Sequence, residues 1–147
     1  MEREALVIRT FLVGTEGRPE DERALTVLCE SLDADHVRLR IVHVLTVPMT
    51  VPLDVSMPEA ERRADALLRR SREVAERFGV PVETALLRGR EVGACLVEDA
   101  RRTRADAVCI RFRSRPAPLG HYLVSSTVSV LLRASPCPVI TFHLPHH

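Results

Sequence analysis

The residues of this sequence best suited to chemistry lie in one segment, between a strand-like apolar run and a later apolar-periodic segment. It contains three arginines at alternate positions, Arg111, Arg113 and Arg115, and then the pair Ser125 and Ser126. Guanidinium groups bind phosphate oxygens well, and anions favour the N-termini of helices. The pattern is consistent with an anion site. Surface arginines on an extended loop, whose alternate side chains point in opposite directions, are the other interpretation.

Catalytic chemistry has weaker support. All 21 basic residues are Arg, and the absence of Lys excludes both a P-loop lysine and Schiff-base chemistry. The sequence has no Gly-x-Ser-x-Gly elbow, no His-Glu-x-x-His pair and no glycine-rich dinucleotide turn after the first strand. Ser125 and Ser126 follow His121, but such offsets on a helix are typical of a capped or solvent-facing turn. We therefore predict no enzymatic activity.

The cysteines and the internal histidine are interpreted as structural. Cys29, Cys95, Cys109 and Cys137 lack the spacings of metal sites and fall in apolar-periodic segments. We expect buried thiols in a reducing compartment and no metal site. His43 lies within an apolar strand pattern, which favours a hydrogen-bonded core histidine over a ligand.

The composition predicts one globular domain. A chain of 147 residues with 46% hydrophobic and 28% charged residues can form a single core. We expect one domain over residues 1–147, with an N-terminal extension at 1–9 and a tail at 143–147. The net charge of +1 gives no field that would attract nucleic acid. With no signal peptide and no stretch near the ~20 apolar residues of a membrane span, we expect a cytoplasmic protein without membrane insertion.

Strand and helix patterns alternate along the chain. Apolar runs predict five strands, at residues 10–15, 37–45, 82–87, 107–110 and 137–142. Helical periodicity predicts four helices between them, ending near residues 32, 78, 104 and 134. Ser56 and Glu59 have capping-box spacing and are predicted to open the second helix, while the last helix is predicted to include Leu123. With right-handed crossovers, this order gives a three-layer α/β/α sandwich.

From Phe11 to Phe142 the chain resembles the universal stress protein family. The resemblance rests on Ala105-Asp106 before the fourth strand, Leu132-Arg133 near the end of the last helix, and Pro136-Cys137-Pro138-Val139 after it. It implies a five-stranded parallel sheet of the adenine nucleotide alpha hydrolase-like type, in the order 3-2-1-4-5. It also implies a homodimer through the edge strand Cys137–Phe142, because an exposed apolar edge invites pairing.

The resemblance further implies a nucleotide site, which is degenerate in this chain. Where nucleotide-binding members end the first strand in Val-Asp-Gly-Ser, this sequence has Thr15-Glu16-Gly17-Arg18, and Arg111, Ser114 and Val124 replace the glycines of the phosphate loop. Glycines let backbone N–H groups approach phosphate oxygens, which Arg and Val obstruct. The candidate nucleotide-binding residues are Thr15, Glu16, Gly17, Arg111, Ser114, Arg115, Ser125 and Ser126.

We therefore predict a non-catalytic stress-response or regulatory domain that acts through dimerisation and an unknown protein partner. It would have no cofactor and no ordinary ATP binding. Two alternatives stay open. In one, arginines rebuild the phosphate site and the protein binds ATP or AMP. In the other, the domain regulates a membrane transporter, and residues 1–8 are a former linker.

Overall fold

The computed structural model describes residues 7–112, 114–120 and 122–144, and its centre is a five-stranded parallel sheet. The strands in chain order are β1 Thr10–Gly14, β2 Arg38–Thr46, β3 Val82–Gly89, β4 Ala107–Arg111, β5 Ser114–Pro116, β6 Tyr122–Val124 and β7 Val139–Phe142. The helices are α1 Pro19–Ser31, α2 Pro58–Arg77, α3 Val92–Thr103 and α4 Ser126–Ala134. The main sheet has the order β3-β2-β1-β4-β7, which confirms the predicted fold and strand order.

The sheet is covered by helices on both faces. Successive residues of β1 point to opposite sides, so Phe11 and Val13 join the core beneath α1 and α2, while Leu12 joins the core beneath α3 and α4. Phe11, Leu12 and Val13 are all buried. Burial on both faces explains why the parallel strands appear in the sequence as nearly continuous apolar runs.

The segment before α4 differs from the prediction. Strands β5 and β6 form a small antiparallel pair, in which Arg115 lies opposite Leu123. Leu123 therefore belongs to a strand, and α4 begins only at Ser126, with Ser125 as its N-cap. Three apolar positions fit a strand or a helical turn equally well, so periodicity alone did not distinguish them.

Two other predicted boundaries were wrong. The N-cap of α2 is Met57 and makes no side-chain cap hydrogen bond, so the Ser56 capping box does not form. Pro58 occupies the first turn instead, where a residue without an N–H is tolerated. The last strand begins at Val139, because Ser135 and Cys137 form a turn in which the Ser135 hydroxyl donates to the Cys137 carbonyl at 2.7 Å.

Two arginines at the end of β3 hold the long connection between β2 and α2. Arg88 donates to the carbonyls of Leu53 and Val55 and also pairs with the carboxylate of Glu61. Arg90 donates to three carbonyls at the start of the same connection, those of Val47, Pro48 and Val51. The guanidinium groups of Arg88 and Arg90 thus hold the backbone of the connection in place.

A buried ion pair joins β2 to α3. Arg40 donates to both oxygens of Asp99 through Nε and Nη2, at 2.8 and 2.9 Å, and the side chains are 12% and 3% exposed. Arg102 donates to the same carboxylate at 2.8 Å, and Glu83 accepts a weaker bond from Arg40 at 3.3 Å. Burial alone would raise the pKa of Asp99, but the hydrogen bonds from the two arginines outweigh it and the pKa lies below its ordinary value.

Within the part of the chain that the structure describes, no helix combines the length and apolar character required to cross a bilayer.

We expect Asp99→Asn to destabilise the fold by about 3–5 kcal/mol, because it leaves the buried Arg40 with only the exposed carboxylate of Glu83, at 3.3 Å, as a charged partner. Since Asp99 has a lowered pKa, its contribution is present above the unfolded-state pKa of about 3.9 and is lost as the pH falls through the lower folded-state pKa. Urea unfolding measures both effects. Glu83→Gln is the matched control; its carboxylate, 65% exposed, contacts the same arginine and should contribute less than about 1 kcal/mol. Equal losses in the two variants would contradict this account.

Candidate functional site

A cleft of about 300 Å³ opens at the carboxyl edge of the parallel strands. Its apolar lining comes from β2, α3 and β4, through Val42, Val44, Val92, Leu96 and Ile110. Its polar lining consists of Thr15, Glu16, Asp21, Arg111, Ser125, Ser126 and Thr127. Apolar walls with a few polar groups are typical of small-molecule sites, and the volume is at the small end of their range. Ligands of open parallel sheets bind at this edge.

An ion pair closes one side of this cleft. Arg111, the last residue of β4, donates through Nε to Asp21 Oδ1 of α1 at 2.9 Å. The two side chains are 13% and 7% exposed. Asp21 also accepts the backbone N–H groups of Glu16 and Arg18, each at 3.1 Å. Asp21 therefore fixes the loop after β1 and the guanidinium of Arg111 at the same time.

The loop after β1 is also held from β2. His43 is half-buried and its Nδ1 donates to the carbonyl oxygen of Thr15 at 2.8 Å, so it is a hydrogen-bonded histidine. The Thr15 hydroxyl accepts from the N–H of Gly17 at 3.1 Å, and Glu16 forms an ion pair with Arg18 at 3.4 Å. These contacts position Thr15 and Glu16 at the mouth of the cleft.

Gly17 has a packing role in this loop. Its φ is +76°, and a Cβ atom there would lie 2.8 Å from Cδ2 of Leu67 on α2. It does not line the cleft. Position 17 therefore requires glycine for two reasons: its φ is positive, and its backbone lies too close to α2 to leave room for a Cβ atom.

The opposite side of the cleft is the N-terminus of α4. Ser125 is the N-cap, and its hydroxyl accepts the N–H of Val128 at 3.3 Å. Ser126 and Thr127 follow in the first turn and also line the cleft. The positive end of the helix dipole thus faces the cavity, with one of its N–H groups already bonded.

The structure brings together five of the eight predicted site residues, Thr15, Glu16, Arg111, Ser125 and Ser126. Ser114 and Arg115 belong to β5, where their backbones pair with β6; their side chains lie outside the described residues. Arg113 and His121, named in the sequence analysis, also lie outside the described residues, as do His146 and His147 of the tail.

Asp21 is the charged residue of the cleft lining that sequence reasoning missed. It lies between Glu20 and Glu22, and all three are acidic residues in the first turn of α1, where the helix dipole favours negative charge. The three-residue spacing from the N-cap Arg18 was the available signal, since that position can bond to the backbone ahead of the helix. Its pairing with Arg111 had no local signal.

The four thiols are free and differ in burial. Cys29 and Cys109 are buried as expected, and burial raises their pKa values to about 11 and about 12, with the nearby Cys137 also raising that of Cys109. Cys95 and Cys137 are only half-buried, which corrects the expectation that all four are buried. Among residues 7–112, 114–120 and 122–144, no three His, Cys, Asp or Glu side chains are grouped as metal ligands.

The fold and the cleft define an α/β domain of the adenine nucleotide alpha hydrolase-like type. The model of the universal stress protein family matches residues 8–143, and the chain belongs to that family. A universal stress protein from Archaeoglobus fulgidus has 19% identity and a TM-score of 0.73, with 92% of this chain and 93% of that chain covered.

Two further solved structures contain bound nucleotides. A universal stress protein in complex with cAMP has 23% identity and a TM-score of 0.71, covering 94% of this chain and 98% of that one. A family protein from Arabidopsis thaliana with AMP bound has 16% identity and a TM-score of 0.65, covering 93% and 92%. No curated protein matches the chain.

We expect Gly17→Ala to destabilise the protein more than Gly79→Ala, measured as the free energy of unfolding in urea. Both glycines have positive φ, but an added Cβ meets Leu67 at Gly17 and nothing within 4 Å at Gly79. Strain alone costs about 1–2 kcal/mol, and overpacking against Leu67 adds about 1–3 kcal/mol. Similar losses at both sites would show that contact with α2 is not the reason for the glycine.

Proposed function

We propose that this protein is a non-catalytic, cytoplasmic regulatory domain whose cleft binds an adenosine-type ligand and which acts through dimerisation and a protein partner. The cleft carries the proposal. It combines apolar walls at Val42 and Val44 with hydrogen-bonding groups at Thr15, Glu16 and Ser126, at the edge of the sheet where ligands of this architecture bind. The cAMP and AMP complexes of two relatives support an adenine-containing ligand.

The same cleft is a poor site for a triphosphate. The position of the first family glycine is occupied by Arg111, whose Nε is bonded to Asp21. A guanidinium has five N–H donors, so the bond from Nε does not use them all, but the buried carboxylate of Asp21 offsets the positive charge that would attract a phosphate. This geometry favours weak ATP binding over an arginine-rebuilt phosphate site.

We expect calorimetry to give an AMP dissociation constant of about 100 μM, or roughly −5.5 kcal/mol, and an ATP-Mg constant no tighter than about 1 mM, or −4 kcal/mol. At ten times its dissociation constant, AMP should stabilise the fold by about 1.4 kcal/mol, which a melting curve detects. Guanine nucleotides measure the selectivity for adenine. Binding of ATP-Mg at micromolar concentration would instead support a rebuilt phosphate site, and no binding of any adenine compound would contradict the proposal.

The dimer contact is proposed at β7, the outermost strand next to β4. The carbonyls of Pro138 and Phe142 accept from β4, through Val108 and Phe112. Alternate residues of an extended strand face the same way, so the backbone of Thr141 faces outward from the sheet. An outward row of N–H and C=O groups is available for pairing with a second copy.

We expect Thr141→Pro to shift the protein from dimer to monomer in light scattering at micromolar concentration. Proline removes the outward N–H while leaving the bonds between β4 and β7 in place, as is tolerated on an edge strand. Thr141→Val keeps the N–H and should remain dimeric. A monomeric wild-type protein, or a proline variant that remains a dimer, would exclude this contact.

A further inference from the structure

We infer that the Asp21–Arg111 pair makes the cleft select an uncharged nucleoside over its phosphorylated forms, an inference that rests on the proposed function of the same cleft. The selectivity would come from the guanidinium of Arg111, which is already bonded to the carboxylate of Asp21, and from the neighbouring carboxylate of Glu16. Asp21 and Arg111 both line the cavity that the ligand would occupy, so they would influence which ligand binds.

Arg111 is already bonded within the protein. Among the described residues that line the cleft, Arg111 is the one cation. Its Nε donates to Asp21 at 2.9 Å, and both side chains are largely shielded from water. Shielding strengthens the attraction between the two charges, so Asp21 offsets the positive charge of Arg111, which then attracts a phosphate less than an arginine without a carboxylate partner would.

The charges of the lining are compensated within the protein. Asp21 is paired with Arg111 and Glu16 with Arg18, so the described lining presents no net positive charge to a phosphate. A phosphate monoester carries a charge of about −1.5 to −2 at neutral pH, which this lining does not balance. An unbalanced charge is most costly in a cleft with low-dielectric walls.

The N-terminus of α4 also lines the cleft. The N-terminus of a helix ordinarily attracts anions through its unbonded N–H groups. Here the hydroxyl of Ser125 already accepts the N–H of Val128, which reduces the donors available to a phosphate. Ser126 and Thr127 offer neutral hydroxyl groups instead, and these suit sugar hydroxyls as well as phosphate oxygens.

A neutral nucleoside fits the other features of the cleft, which are its apolar walls and its oxygen acceptors. The apolar walls at Val42, Val44 and Leu96 suit the faces of a base, and carboxylate and hydroxyl oxygens at the mouth of the cleft accept from ribose hydroxyls. Binding of this kind needs no positive charge. The ligand class is therefore a neutral purine nucleoside, with adenosine as the probe.

The test compares adenosine, AMP and inorganic phosphate by calorimetry with the full chain. In the wild type, adenosine should bind at least as tightly as AMP, and phosphate should give no heat. Higher salt should not weaken the binding of AMP relative to adenosine, because the compensated charges of the lining give AMP no net attraction for salt to screen. AMP that binds ten times more tightly than adenosine would overturn the inference and leave the proposed function standing. If neither compound binds, both fail.

Two variants test whether the Asp21–Arg111 pair causes the preference for adenosine over AMP. Asp21→Asn retains an oxygen that can accept the N–H groups of Glu16 and Arg18, but it no longer holds Arg111 by charge. AMP affinity should rise about tenfold while adenosine affinity changes less than about threefold, since a charge-assisted hydrogen bond is worth at least that much. Asp21→Asn combined with Arg111→Met should abolish the gain.

Asp65→Asn is the control, because it removes the same charge from an exposed position on α2 that does not line the cleft. Circular dichroism and melting curves show whether each variant is folded. If the Asp21 variants do not fold, the wild-type ratio of adenosine to AMP affinity and its salt dependence still decide the question. An AMP-to-adenosine ratio unchanged by Asp21→Asn in a folded protein would overturn the role of the pair.

Discussion

The ion pair between Asp21 and Arg111 connects the first turn of α1, the loop after β1 and the carboxyl end of β4. A carboxylate so little exposed requires strong partners, since an uncompensated buried charge costs several kcal/mol. Asp21 meets this requirement with two backbone N–H groups and one guanidinium. The shape of the cleft and the charge of its lining both follow from that arrangement.

The parallel sheet was predictable because its signals are local and repeated. Each strand is buried on both faces and appears as an apolar run, and helical periodicity separates the strands. The pairing of Asp21 with Arg111 is different, because 90 residues separate the two side chains. Three adjacent acids open α1, and only the packed fold determines which of them points to β4.

The segment between β4 and α4 is a second feature that the sequence pattern did not predict. The short apolar stretch of this segment fitted a helix by spacing, yet the chain forms two paired strands there. The last helix was expected to include Leu123, but it begins at Ser126, after Ser125, whose side chain is of a type that caps helices. The serine was therefore a local signal for the helix start that the prediction did not use, while the conformation ahead of it depended on pairing with β5.

The connection between β2 and α2 has a consequence for how freely its sequence can change. Arg88 and Arg90 bind it mainly through backbone carbonyls, and every amino acid supplies a carbonyl. Side chains along the connection, such as the exposed Met49, can therefore be exchanged during evolution without loss of anchorage. Selection would act on the two arginines, and the connection itself would be free to acquire new surface chemistry beside the sheet edge.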